Sequence, residues 1–135
     1  MNVCVVDSSA WVSVVLPEDE RGDRIIAHLE GSGEWWAPDA FDLEVLYALR
    51  GHLLRGSLDP VEFARQAQQL TRLPLSRVST HWLNLRIASL APSISTYDAA
   101  FVAVAEMLDA PLLTTDARLA RAPGPQCEFL LVEAN

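Results

Sequence analysis

The chain opens on a short β-branched run that stops at an aspartate: Met1-Asn2-Val3-Cys4-Val5-Val6, then Asp7. A run this apolar, without polar residues at alternate positions, predicts a strand buried on both faces, as in a parallel sheet. Trp35-Trp36-Ala37, Pro111-Leu112-Leu113-Thr114 and residues 128–132 read as further short strands, and residues 73–78, interrupted by Pro74, as a strand or an extended link. Helical stretches separate them. Strands alternating with helices predict an α/β fold with a central parallel sheet covered on both faces. In such sheets ligands bind beyond the carboxyl ends of the strands, and Asp7 and Asp116 both fall there.

The helices have their own punctuation. Ser8 and Ser9 are candidate caps for a helix over 10–16 that Pro17 ends. Residues 18–30 predict an amphipathic helix with Ile25, Ile26 and Leu29 inward, closed by Gly31-Ser32-Gly33. Pro38 is expected to open a long helix to about Arg55, with Gly56 following. Asp59-Pro60 caps and starts a helix to about Thr71. Ser79 or Thr80 begins one over 81–90, and Thr96 is expected to cap another over 97–108. A short helix follows Asp116.

At 135 residues, the chain reads as a single domain over 1–135. Half of it is hydrophobic, enough for a core without staples. Cys4 and Cys127 lie inside apolar runs and have no CxxC partner, which predicts buried thiols in a reducing cytoplasm. Met1 to Leu16 carries no basic leader, and no apolar run approaches the ~18 residues of a membrane span. A cytosolic protein without membrane contact is expected. The net charge is −8, and all ten basic residues are arginine. That balance argues against non-specific, tight binding of polyanions and suits a basic partner chain.

Four acidic residues stand out. Asp7 and Asp116 end strands and precede helices, and Asp98 sits in a helical first turn; each is explicable as a cap or a complement to the helix dipole. Glu44 is less easily explained. Its neighbours at i−4, i−3, i+3 and i+4 are Ala40, Phe41, Tyr47 and Ala48, so it is expected on a core-packing face with no nearby arginine. Four carboxylates at one sheet edge would repel, by about 4 kcal/mol for a pair ~4 Å apart at an effective dielectric of 20. Mg²⁺ or Mn²⁺ would resolve this, since both favour hard oxygen ligands, and two such ions can activate water for phosphodiester cleavage.

Val5-Val6-Asp7-Ser8-Ser9, Ala37-Pro38 with Glu44 six residues on, Tyr97-Asp98-Ala99-Ala100 and Leu112-Leu113-Thr114-Thr115-Asp116 occur in the order and spacing of PIN-domain ribonucleases. Over nearly its full length the chain resembles the VapC toxins of toxin–antitoxin pairs. The resemblance implies a three-layer α/β/α, Rossmann-like fold and a Mg²⁺- or Mn²⁺-dependent endoribonuclease. It further implies a structured RNA substrate such as tRNA or rRNA, a homodimer, and a cognate VapB-type antitoxin. Carried over by position, Asp7 and Asp98 would be the principal metal ligands, Asp116 would share a metal through water, and Glu44 would complete the acidic pocket. Ser8 or Ser9, and Thr114 or Thr115, match positions that hydrogen-bond the carboxylates.

The remaining features have plainer readings. His28, His52 and His81 have no second ligand at zinc spacing. The four tryptophans read as core or interface packing, and residues 18–23 as a solvated charged run. Arg118 and Arg121, just beyond Asp116, are candidate phosphate contacts. An aspartyl phosphotransferase would need a second acid where Ser9 stands, and a phosphate-receiver domain needs a lysine that this chain lacks. The alternative that survives is a catalytically inactive PIN-like module that binds RNA or a protein partner.

Overall fold

The computed structural model describes residues 2–135, so Met1, which heads the first apolar run, lies outside the described residues. Among the described residues there are five strands: β1 (Val3–Val6), β2 (Glu34–Pro38), β3 (Leu75–Val78), β4 (Leu112–Thr114) and β5 (Phe129–Leu131). Seven α-helices accompany them: α1 (Ser8–Val15), α2 (Gly22–Glu30), α3 (Phe41–Arg55), α4 (Pro60–Arg72), α5 (Asn84–Leu90), α6 (Thr96–Leu108) and α7 (Ala117–Arg121). A 3₁₀ turn, His81–Leu83, precedes α5.

The sheet is parallel throughout, in the order β3-β2-β1-β4-β5. The chain steps one way from β1 to β3, then crosses back over β1 to lay down β4 and β5. Right-handed crossovers running in opposite directions put their helices on opposite faces of the sheet. Accordingly α1 packs with α2 and α3, and α3 with α4, whereas α5 packs with α6 on the other side. The result is a three-layer α/β/α fold.

The two central strands explain their own composition. Cys4, Val5 and Val6 of β1 and all three residues of β4 are buried. Helix α6 is apolar around its whole circumference, with every residue from Ala99 to Ala105 buried, because it lies across β1, β2 and β4. Helices α2 and α3 bury narrower stripes, Ile25 with Leu29 and Phe41 with Val45 and Leu49. Gly22 lets α2 start against α1, since a Cβ there would stand 3.0 Å from the Ser13 carbonyl oxygen. Gly56 ends α3 at φ 80°, in the left-handed region.

Several helix starts differ from the sequence reading. Ser8 and Ser9 lie inside α1, and Asp7 holds the N-cap position with no side-chain cap bond. Pro38 closes β2 instead of opening α3, because its rigid φ also suits the last residue of a strand. Ser95, not Thr96, caps α6 by accepting the Asp98 N–H. The charged segment before Gly22 is turn, not helix, and Ile26 is only half-buried. Asp59 caps α4 by accepting the Glu62 N–H.

Candidate active site

The strand order reverses between β1 and β4, and at such a switch point the loops leaving adjacent strands part and open a crevice. Register pairs Val6 with Leu113, so Asp7 and Thr114 follow directly at the carboxyl ends of the two central strands. The Asp7 N–H donates to the Leu113 carbonyl at 2.9 Å, which anchors the aspartate backbone to β4.

Asp7 is 3 % exposed, and two hydroxyls share one of its oxygens. Ser9 and Thr114 each donate to Oδ2 at 2.7 Å. Each hydroxyl oxygen in turn accepts a backbone N–H from the loop after β4: Thr115 to Ser9 Oγ at 3.2 Å, and Asp116 to Thr114 Oγ1 at 3.0 Å. With both protons committed to Asp7, the 3.4 Å approach of the two hydroxyls is a packing contact. Oδ1 has no protein donor among the described residues. Of the alternative hydroxyls, Ser9 and Thr114 touch Asp7, while Ser8 donates a long 3.5 Å bond to Glu44 Oε1.

The other three carboxylates come from three different elements. Asp98 stands in the first turn of α6, half-buried. Asp116 caps α7 through Oδ1, accepting the Arg118 and Leu119 N–H groups at 3.0 and 3.1 Å. Glu44 lies on α3 beside the core stripe, not within it. Its i−3 neighbour Phe41 is in the core as expected, but Ala40, Tyr47 and Ala48 line an open cleft and Tyr47 is 78 % exposed, which corrects the expectation of a wholly core-packed face. Even so, Glu44 Oε2 is buried and has no hydrogen-bond partner.

The four groups act on one another electrostatically. Burial pushes the Asp7 carboxyl up to about 6 against the pull of its two hydroxyls, and Asp98 and Asp116 raise it further. Burial, then the charges of Asp7 and Asp98, push Glu44 up to about 7. Asp98 is raised by burial and by Asp116. Among the described residues none of the four forms an ion pair. The arginine salt bridges among the described residues go to Asp19, Glu62, Asp42, Glu106 and Glu133 instead. The side chains stand apart, since no three carboxylate, histidine or cysteine groups among the described residues close around a single point.

The sequence profile of the PIN domain matches residues 4–125. The chain belongs to the PIN domain family. This PIN domain is 37% identical to Ribonuclease VapC1 of Mycobacterium tuberculosis over 136 residues, covering 98% of this chain and 99% of that one. It is 33% identical to Ribonuclease VapC12 of the same organism, over 95% of this chain and 98% of the relative. Among solved structures it is similar to VapBC2 from Rickettsia felis, bound to a DNA fragment from its promoter, with a TM-score of 0.67 over 98% and 99% of the two chains at 10% identity. PAE2754 from Pyrobaculum aerophilum gives 0.63 over 96% and 91% at 22% identity. These two likenesses concern the fold.

Beside this part of the PIN domain opens a cleft of about 1020 Å³, walled by α1, α3 and the start of α6; Asp7 and Asp116 are not among its lining residues. Glu44, Asp98, Ser8 and Ser9 line it, with Tyr47 and Tyr97 at its side. Arg118 and Arg121, the arginines singled out in the sequence, do not: Arg118 is exposed on α7, and Arg121 pairs with Glu133 at 3.3 Å. Arg21 does line the cleft. The sequence placed it in a charged run, and only the fold of α2 against α1 brings it here. No helix among the described residues is long and apolar enough to cross a membrane.

Proposed function

We propose that this chain, acting as a single PIN domain over 1–135, is a metal-dependent endoribonuclease and the VapC-type toxin of a toxin–antitoxin pair. The observation that carries the reading is the set of four carboxylates at the β1/β4 switch point, none of them neutralised by an arginine. It is joined by kinship to chains named ribonucleases over nearly their full length.

The donor set suits Mg²⁺ or Mn²⁺. All four side chains are hard oxygen donors, Glu44 Oε2 is a buried acceptor without a partner, and Asp7 keeps one oxygen free of protein donors. Mg²⁺ commonly uses one or two carboxylates and keeps several waters, so side chains that stand apart are compatible with it. In this reading Asp7 and Asp98 would hold the ion, Asp116 would add its charge while capping α7, and Glu44 would complete the pocket. A bound divalent ion would supply charge for the phosphodiester and lower the pKa of an attacking water. Ser9 and Thr114 fix the Asp7 rotamer, which leaves Oδ1 as the ligating atom. Glu44, raised to about 7, is suited to take a proton from water near neutral pH.

The substrate in this reading is structured RNA, tRNA or rRNA, and the setting is the cytoplasm. The partners are a second copy of the chain and a VapB-type antitoxin whose basic segment meets the acidic cleft. The deciding experiment incubates purified protein with total RNA and Mn²⁺. Cleavage by the wild type that falls more than about 100-fold in Asp7→Asn and Asp98→Asn is expected, since loss of an outer-shell partner alone costs 10–100-fold. Intact RNA in the wild-type reaction would leave the non-catalytic binding module as the better description.

A further inference from the structure

Resting on the nuclease reading, we propose that Arg21 is a substrate-binding residue, contacting an RNA phosphate that flanks the one being cut. Cleavage needs a polyanion to lie in a cleft lined by three carboxylates, Asp19, Glu44 and Asp98. Bound metal would offset charge at the cutting site alone. A flanking phosphate needs its own donors, and in an acidic cleft a cationic donor offsets repulsion that a neutral hydroxyl cannot. Among the residues lining the cleft, Arg21 is the one arginine or lysine.

Its placement fits the task. The acid-holding Ser9 and the cleft-lining Ser13 stand one turn apart on α1, about 6 Å along the axis, and Asp19 is kept ionised chiefly by Arg21, with a smaller share from Ser13. Asp19 then receives Arg21 through its backbone N–H at 3.0 Å, Nε at 2.9 Å and Nη2 at 2.8 Å. This grip fixes the guanidinium plane while Nη1 has no protein acceptor among the described residues, and the side chain remains 27% exposed. An arginine held this way loses little further freedom when a phosphate arrives. Because a nucleic-acid strand carries a charge at every nucleotide, a cation on the α1–α2 side of the cleft meets a phosphate other than the scissile one. His52, the other basic side chain in the lining, is engaged with Ser57 Oγ at 3.1 Å.

The test compares Arg21→Gln with wild type on two substrates in Mn²⁺: a single-stranded RNA oligonucleotide the wild type cuts, and bis(p-nitrophenyl) phosphate, which has no flanking phosphate. The expected result is a KM for RNA raised about tenfold, the strength of one charge-assisted hydrogen bond. The kcat, and the rate on the small diester, stay unchanged. The salt dependence of RNA binding flattens by about one contact, and Arg21→Lys recovers part of the loss. A merely structural Arg21–Asp19 pair would lower both activities together, and that result, or an unchanged KM for RNA, overturns the assignment. Wild-type protein that cuts neither substrate overturns the nuclease reading and this assignment with it.

Discussion

At the scale of single residues, Asp7 depends on Thr114. The hydroxyl of Thr114, fully buried at 0% exposure, donates to Asp7 and accepts from the backbone of Asp116, so one atom ties two of the acids. Thr114→Val keeps the shape and removes both bonds. It should cost about 1–3 kcal/mol in chemical denaturation, the usual penalty for unpaired buried groups. It should also lower Mn²⁺-dependent cleavage 10–100-fold, while Thr114→Ser restores most of both; a Val variant with wild-type activity would show that Asp7 needs no such support. The raised carboxyls give a second expectation. A group whose pKa is higher in the fold than in the unfolded chain stabilises fully below its unfolded value, near 4, and loses that contribution as pH rises through its folded value. For Asp7 and Glu44 the loss runs up through about 6 and about 7. The melting temperature of metal-free protein should therefore fall between pH 5 and pH 8, and fall less in Asp7→Asn. Equal slopes in the two proteins would assign the pH dependence to other groups.

At the scale of elements, each acid is positioned by how its helix begins. Helix α6 presents Asp98 because Ser95 accepts the Asp98 N–H at 3.1 Å, and α3 is steadied at its start by Arg77, which clasps Asp42 through two 2.9 Å bonds. Ser95→Ala should cost about 1 kcal/mol and lower cleavage through a misplaced Asp98. Unchanged activity at reduced stability would mean the packed remainder of α6 holds Asp98 without its cap. Strand runs such as Val3 to Val6 and Leu112 to Thr114 were legible in the sequence because both faces are buried, leaving no polar alternation to blur them. Helix starts were less so. Ser8, Ser9 and Thr96 are as good capping residues as the Asp7 and Ser95 that hold those positions, and a choice among adjacent polar residues is made by tertiary contacts, not local preference. Glu44 was misjudged for a related reason: apolar neighbours on a helix mark a core face and a cleft wall equally well.

At the scale of the whole molecule, the sheet order creates the site. Reversal at β1 sets Asp7 and Asp116 at neighbouring strand ends, and the crossovers bring α3 and α6 to the same edge. The position of Asp7 and Asp116 at strand ends could be read from the linear pattern, since apolar runs stop there. The approach of Asp98 and Glu44 to the same edge could not, because it depends on strand order, and the place of Arg21 in the cleft was hidden for the same reason. Part of the net charge of −8 is gathered at this one edge, where the proposed function places a cation. On the proposed reading this edge holds a divalent ion, and calorimetric titration of metal-free protein with Mn²⁺ at pH 6.5 measures that binding. Saturable binding is expected, lost in Asp7→Asn and in Asp98→Asn, with protons released as the raised carboxyls ionise. Absence of binding heat in the wild type, or equal affinity in both variants, would contradict it.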